Sequence, residues 1–474
     1  MITFSDVHFS SSDELEDRLF NTAIKKCEKN IVSFEGRDVL VEGGGYEKIW
    51  LETQPMGGRM YAKKNMNVAL NNQLMFMEHQ RDDGRLPGSI ALIDGKVTPQ
   101  YNKLQGFCFP DPALDMYYLA RPGEEYLDRL YECLERFDEY LWKYRDSDGD
   151  GCLESWCKYD TGEDNALRYG DAPNDWSGEI PPAGCDIVPM ASVDVMSYSY
   201  SCRDTLKKIA YVKGLEDTGK SWAQKAAAVK DKIRKYLWDE EAGICFDRDN
   251  RHKKQKVICH NTLKAMYWGS IDRDMASAFV EKHLLNKEEF MTYMPLPSVS
   301  VSDPLFRNIP TNNWSGQCEA LTYQRAIKAL EDYGYDSLIP YLGRKLLEAI
   351  GIDCIFVQQY DPFTGRLSIN VDSGGQDGYG PAMLSAIEYI AAMHGVRRKE
   401  NTILWGCMQG STCEYEQLLG DDIYCIRTGK SGSEAYINGK KIFNTRTNEK
   451  VVTDLQGNVL SSHALLTDQK KLSS

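Results

Sequence analysis

The sequence contains no run of 18 apolar residues, which is about the length needed to cross a bilayer, so it predicts no membrane-spanning helix. Its N-terminus has neither the basic start nor the apolar core of a secretory signal. Basic residues are in the minority, with 56 Lys and Arg against 70 Asp and Glu and a formal net charge of −14. Because nucleic acids and anionic membranes are bound through basic surfaces, this composition argues against both as partners.

The 14 cysteines form no Cys-x-x-Cys pair and show no Cys/His spacing of a zinc site. So many thiols without an export signal indicate a reduced, cytoplasmic protein whose cysteines are mostly buried. A Gly-x-Ser-x-Gly motif and a Walker loop are also lacking, and no cysteine stands out as a nucleophile. The triplet Gly43-Gly44-Gly45 lacks the crossover pattern of a nucleotide-binding loop.

Helical patterns follow one another along most of the chain. Helices are predicted at about 13–31, 64–79, 110–120, 123–144, 191–213, 215–238, 256–268, 271–284, 315–332, 334–350 and 379–394. Strongly amphipathic helices alternate with less polar ones, which predicts a mainly α protein with an inner and an outer ring of helices. A solenoid of helix pairs is the alternative architecture. The long loops between the pairs carry clusters of Gly, Asp, Trp and Asn, which favours a functional role for them.

The pattern changes after about residue 400, where short strand-like segments alternate with turns. We therefore predict a helical domain over 1–400 and a small β-rich appendage over 401–474. Strand-like pieces also occur in the first 60 residues.

The segment from Arg145 to Trp176 has the highest density of candidate functional residues. Asp146, Asp148 and Asp150 alternate around Gly149 as at the start of a calcium loop, although Cys157 stands where a bidentate Glu is expected. A polar turn before a functional loop explains this pattern, with a structural calcium ion as the alternative, and the sequence predicts no other cofactor.

Glu163 and Asp164 are adjacent carboxylic acids that lie between Gly162 and an Asn-x-x-Arg run ending at Arg168. If one acid pairs with Arg168 while the other faces a cavity, their pKa values separate, as acid catalysis requires. A solvated helix cap explains the same residues equally well.

The run DGDGCLES…DTGEDNALRY resembles a pattern of the trehalase-like and processing-glucosidase-like glycoside hydrolases. Four further segments resemble other elements of these families in the expected order, over roughly residues 45–395: PMGGRM, DGRLPG, WDEEAG and QDGYG. The resemblance implies an (α/α)6 toroid and a carbohydrate substrate.

The resemblance implies that Asp164 is the general acid, with Glu163 as the alternative. It implies Asp372 as the general base, with Asp361 as second choice and a Gly-flanked turn as the non-catalytic explanation. In the glucosidase-like pattern the base is the first residue of a Glu-x-Tyr-x-Pro-x-Thr-Gly run. Here Gln358 stands at that first position.

Sugar binding requires flat apolar faces together with polar groups, and these occur in the loops and at helix starts. The candidates are Trp50, Gln54, Arg59, Gln105, Asp111, Arg168, Trp176, Asn313, Trp314, Gln317 and Gln376.

The sequence thus predicts an inverting, exo-acting glycoside hydrolase for a gluco- or galacto-configured oligosaccharide or glycoside. The alternatives are another toroidal sugar enzyme, namely a phosphorylase, an epimerase or a lyase, or a carbohydrate-binding toroid without activity. Homo-oligomerisation stays open.

Overall fold

The computed structural model describes residues 2–368 and 376–465, and the statements below concern these residues. They form twelve α-helices: α1 Glu14–Lys29, α2 Gln54–Tyr61, α3 Met66–Glu78, α4 Pro110–Ala120, α5 Glu124–Tyr144, α6 Val193–Val212, α7 Glu216–Lys232, α8 Asn261–Trp268, α9 Arg273–Phe279, α10 Ala320–Tyr333, α11 Ile339–Ile350 and α12 Gly380–His394. Single π-helical turns extend α7 and α9. The fold is therefore mainly α, as predicted, and no described helix is both long and apolar enough to span a membrane.

Each predicted helix has a counterpart in the structure, but α2 was not predicted. Its Gly57 and Gly58 are poor helix formers and hide the helical pattern. They serve close packing, because a Cβ at Gly57 would lie 2.9 Å from Leu384 and a Cβ at Gly58 would lie 2.8 Å from Asn72.

The prediction of a helix from residue 315 was wrong for its first turn, because α10 begins only at Ala320. Cys318 and Glu319 instead form a short strand that pairs with Gln359 and Tyr360. This pairing takes the backbone groups that a longer helix would use.

Alternate helices form a closed series of contacts. Helices α2, α4, α6, α8, α10 and α12 each contact the next in this order, and α12 contacts α2. The other six helices pack against members of this series, for example α7 against α6 and α1 against α12. One continuous apolar core fills the space between them.

The described residues also contain twenty short strands: β1 Ser5–Ser11, β2 Ile31–Phe34, β3 Arg37–Leu40, β4 Lys48–Trp50, β5 Ser89–Ile93, β6 Lys96–Gln100, β7 Glu154–Ser155, β8 Met190–Ala191, β9 Trp238–Asp239, β10 Ile244–Cys245, β11 Cys318–Glu319, β12 Gln359–Tyr360, β13 Val396–Lys399, β14 Thr402–Cys407, β15 Cys413–Leu419, β16 Asp422–Gly429, β17 Gly432–Ile437, β18 Lys440–Thr445, β19 Glu449–Asp454 and β20 Val459–Ala464. The last strands form a five-stranded sheet, in the order β1-β15-β16-β17-β18, and a four-stranded sheet, in the order β13-β14-β19-β20. The N-terminal strand β1 thus pairs with the C-terminal β15, while the domain boundary at residue 400 stays a prediction.

All 14 cysteines lie in the described residues and are unpaired, and all except Cys185 are buried. This agrees with the prediction of mostly buried thiols.

Candidate active site

A cavity of about 570 Å³ opens where the loops before alternate helices meet. Thr53 precedes α2, Trp314 lies in the loop before α10, Leu321 lies in the first turn of α10, and Tyr379 precedes α12. The whole lining consists of Glu42, Tyr46, Trp50, Glu52, Thr53, Lys103, Gln105, Tyr159, Gly162, Asp164, Asn165, Thr311, Asn312, Trp314, Leu321, Gln358 and Tyr379. Polar and aromatic side chains in one cavity suit a sugar, whose rings have apolar faces and hydroxyl edges.

Asp164 is half-buried in this wall and is held from two sides. Its backbone oxygen accepts a hydrogen bond from Trp314 N at 3.0 Å, and its Oδ2 accepts one from Asn312 Nδ2 at 2.7 Å. Burial raises the pKa of Asp164 to about 6, against the lowering effects of the Asn312 hydrogen bond and the Lys103 charge. At pH 7 about a tenth of this carboxyl is thus protonated and can donate a proton.

The neighbouring Glu163 points away from the cavity into a buried cluster of charges. Its carboxylate lies 2.7 Å from Arg168 Nε, 2.7 Å from Lys264 Nζ and 3.2 Å from His260 Nε2. Burial opposes ionisation, but the charges of Arg168 and Lys264 outweigh it and hold the pKa of Glu163 well below its usual range. This carboxylate therefore stays ionised and is a poor proton donor.

Glu42 is the second cavity carboxyl without an ion pair to any described cation. It is 6% exposed, and its Oε1 accepts a hydrogen bond from the Tyr379 hydroxyl at 3.1 Å. Burial, together with the charge of Asp164, raises the pKa of Glu42 to about 8. Glu52, by contrast, is paired with Arg325.

Lys103 provides a cation in the same wall. Its Nζ lies 5.1 Å from the centre of the Trp50 ring and 5.4 Å from that of Tyr159. Burial, reinforced by the charge of Lys48, lowers the pKa of Lys103. No described carboxylate forms an ion pair with it, so its charge is available to a ligand.

The structure brings four predicted site residues together in the cavity: Asp164, Trp50, Gln105 and Trp314. Four others lie behind or beside it, bonded to protein groups: Gln54 to Trp50 N, Arg168 to Glu163, Asn313 through its backbone oxygen to Gln359, and Gln317 to Ser368 and Asn308.

The remaining predicted residues lie elsewhere. Arg59 and Asp111 line a separate cavity of about 70 Å³, where Arg59 is paired with Asp115 at 2.7 Å. Trp176 donates its ring N–H to the Ile180 oxygen.

Gln376 is exposed on the surface. Asp361 lies outside the cavity lining, and it accepts hydrogen bonds from Asn308 and from the backbone of its own turn. Asp372 lies outside the described residues.

Gln358 lies in the cavity wall, in place of the Glu expected from the resemblance. Its Nε2 donates to Asn312 Oδ1 at 3.1 Å, and Asn312 in turn donates to Asp164. The Tyr46 hydroxyl donates to Gln358 Oε1 at 3.2 Å. The expected position of the base is therefore next to the acid but carries an amide.

The predicted calcium loop lies at the surface. Asp148 and Asp150 lie close to His252, with 3.7 and 3.6 Å between the facing atoms, whereas Asp146 Oδ1 accepts a hydrogen bond from Gly151 N. Glu154 faces Ser147 and the Trp156 ring N–H. Calcium binding stays a prediction.

Sequence reasoning missed Glu42, Glu52, Lys103, Tyr159 and Tyr379. One signal for Glu42 was present, because Gly43-Gly44-Gly45 follows it directly. A Cβ at Gly44 would lie 2.9 Å from Tyr379 Cβ, so this glycine lets the Glu42 loop press against the residue that binds its carboxyl.

The chain is similar to several known proteins. It is 26% identical over 271 residues to a probable trehalase of Eremothecium gossypii. The aligned region covers 50% of this chain and 35% of that protein. The chain thus spans about a third of the length of this curated relative.

Two solved structures share the fold. A GH63 mannosylglycerate hydrolase from Thermus thermophilus superposes with a TM-score of 0.62 at 18% identity, over 78% of this chain and 99% of that chain. The neutral trehalase of Saccharomyces cerevisiae gives a TM-score of 0.55 at 15% identity, over 78% and 80%.

The model of the mannosylglycerate hydrolase MGH1-like glycoside hydrolase domain matches residues 54–379, which is more than half of the chain. This confirms the resemblance to glycoside hydrolases that the sequence motifs indicated. The chain therefore belongs to the family of MGH1-like glycoside hydrolase domains.

Proposed function

We propose that the chain is an inverting glycoside hydrolase and that Asp164 is its general acid. The observation that carries this proposal is an unpaired carboxyl, with a pKa raised to about 6, in the wall of a polar and aromatic cavity. An acid of this kind protonates the leaving oxygen of a glycosidic bond. The membership of a glycoside hydrolase domain family supports the reaction class.

The proposed architecture around this site is an (α/α)6 toroid. The closed series of contacts among α2, α4, α6, α8, α10 and α12 supports an inner ring, and the helices packed against it support an outer ring. In such an architecture the loops before the inner helices converge at one end, where the cavity lies.

In the proposed mechanism, Asp164 transfers its proton to the glycosidic oxygen while the bond from that oxygen to the anomeric carbon breaks. A water molecule attacks the anomeric carbon from the opposite face, which inverts its configuration. Asn312 and the Trp314 N–H hold the acid in place. The Glu163 carboxylate stays with Arg168 and Lys264 and takes no part in proton transfer.

The proposed substrate is a small gluco- or galacto-configured glycoside that carries one anionic group. The unpaired charge of Lys103 between Trp50 and Tyr159 supports the anionic group. Structures of the Thermus thermophilus relative have been determined with glucose and with D-glycerate, which is a carboxylate. Exo action is proposed because long loops surround the cavity.

The test compares wild type with Asp164→Asn on a panel of aryl glycosides with neutral and anionic sugars. We expect Asp164→Asn to lose at least about 100-fold in kcat on substrates with poor leaving groups. Proton NMR of the first-formed product should show the anomer opposite to that of the substrate. Unchanged turnover in Asp164→Asn would refute the acid, a retained anomer would refute inversion, and turnover that depends on added phosphate would favour a phosphorylase.

A further inference from the structure

An inverting hydrolase needs a base to activate water, and Gln358 cannot serve as one. Its amide neither takes up a proton from water near neutral pH nor carries a negative charge. It is nevertheless part of the hydrogen-bonded wall that contains Asn312 and Asp164. The base must therefore come from another side chain that reaches the same cavity.

Glu42 has the features that this role requires. It lines the cavity, and among the described residues only the Tyr379 hydroxyl donates a hydrogen bond to its carboxyl, so part of the carboxyl remains free to bind water. The Glu42 carboxyl is 6% exposed and has no cation partner among the described residues. Burying such a group lowers the free energy of unfolding. Such a cost is typical of functional positions.

Two other carboxyls near the site are paired with cations. Glu52 also lines the cavity but is bound to Arg325, and Glu163 is bound to Arg168 and Lys264. Their carboxylates are already neutralised by cations, which makes them weak bases.

The position of Glu42 connects it to the wall where the base is expected. Tyr379, which donates to Glu42, lies with its ring centre 6.3 Å from that of Tyr46, and the Tyr46 hydroxyl donates to Gln358. Gly44 lets the backbone approach Tyr379 closely, which fixes the Glu42 loop against this wall.

We propose that Glu42 is the general base of the hydrolase and replaces the carboxylate that is missing at Gln358. The proposal rests on the proposed function. In the step assigned to it, the Glu42 carboxylate takes a proton from water as the water oxygen bonds to the anomeric carbon. At the same time the glycosidic bond breaks and the leaving oxygen takes the proton of Asp164. Solvent then removes the proton from Glu42 and returns one to Asp164.

The experiment uses the glycosyl fluoride of the sugar preferred in the aryl-glycoside panel, because fluoride leaves without help from an acid. We expect Glu42→Gln to lose at least about 100-fold in fluoride turnover, while Asp164→Asn keeps most of it. Sodium azide should restore turnover in Glu42→Ala and give a glycosyl azide of inverted configuration. Full fluoride turnover in Glu42→Gln would overturn the proposal.

Two further variants separate Glu42 from the other carboxyls. Glu319→Gln is the matched control, since Glu319 is buried and the charge of Asp164 raises its pKa, but it does not line the cavity. We expect it to keep fluoride turnover within about threefold. Asp372→Asn tests the base predicted from the sequence. If Asp372→Asn abolishes turnover of the fluoride and Glu42→Gln does not, Glu42 is refuted while the proposed function stands.

Loss of folding is distinguished from loss of the base by circular dichroism and thermal unfolding of each variant. If Glu42→Gln does not fold, Glu42→Asp replaces it, because it keeps a carboxylate but draws it back by one methylene. A fall in kcat with little change in KM is then expected, whereas unchanged kcat would refute the base. Undiminished aryl-glycoside turnover in Asp164→Asn would refute the proposed function instead.

Discussion

Asn312 Nδ2 donates a hydrogen bond to Asp164 Oδ2 at 2.7 Å. The same amide group lies 3.0 Å from the Tyr46 hydroxyl, and the Asn312 oxygen accepts from Gln358. Asn312 therefore joins the proposed acid to the opposite part of the wall. Because its hydrogen bond favours the ionised carboxyl, it keeps the pKa of Asp164 lower than burial alone would set it.

We expect Asn312→Ala to raise the pKa of Asp164, since the carboxylate loses a donor while it stays half-buried. The pH of maximal kcat/KM on an aryl glycoside should then move upward. Asn308→Ala is the matched control, because Asn308 donates to Asp361 outside the cavity lining. The expectation fails if Asn312→Ala leaves the pH profile where it is in wild type.

The two proposed catalytic carboxyls also predict the shape of that profile. With pKa values of about 6 for Asp164 and about 8 for Glu42, kcat/KM should follow a bell with its maximum at roughly pH 7. Below the acidic limb both carboxyls are protonated and the base is lost. Above the alkaline limb both are ionised and the acid is lost.

Glu42→Gln should remove the acidic limb, so that the residual activity only falls with rising pH. The measurement is kcat/KM from about pH 5 to about pH 9.5, within the range where the enzyme remains folded. A variant profile that keeps both limbs would show that another pair of groups titrates.

The helices were predictable because their periodicity is local. Helix α7, for example, repeats apolar residues at Trp222, Ala226 and Val229, and all three are buried. Asp164 was predicted as the acid from its resemblance to a glycoside hydrolase motif, with Glu163 as the alternative. Burial and the cations around Glu163 settle which carboxyl faces the cavity, and these cations come from distant parts of the chain.

The prediction of sugar-binding residues from polarity and loop position was less successful. Arg59 follows Gln54 by five positions in α2, so it lies about 7.5 Å further along the helix and reaches the second cavity. Glu42 and Lys103 were missed because they come close to Asp164 only through contacts between distant parts of the chain. No local spacing in the sequence encodes those contacts.

Lys103→Met should reduce the preference for anionic substrates. We expect KM for an anionic glycoside to rise at least about tenfold, with a smaller change for its neutral counterpart, because a desolvated charge pair is lost. Lys48→Met is the matched control, since Lys48 Nζ lies 5.2 Å from the same Trp50 ring but is bonded to Gln100. Equal changes for the anionic and neutral substrates would contradict the proposed role of Lys103.

Glu163→Ala should destabilise the protein by about 3–5 kcal/mol, because it leaves Arg168 and Lys264 buried without one of their carboxylate partners. Urea unfolding followed by tryptophan fluorescence measures the loss. The exposed pair of Glu434 with Lys441 provides the control, and Glu434→Ala should cause no measurable change. The Glu163 carboxyl is almost inaccessible, with its side chain 2% exposed, so its contribution depends little on salt. An equally stable Glu163→Ala would mean that Asp194 and Asp247 neutralise both cations without it.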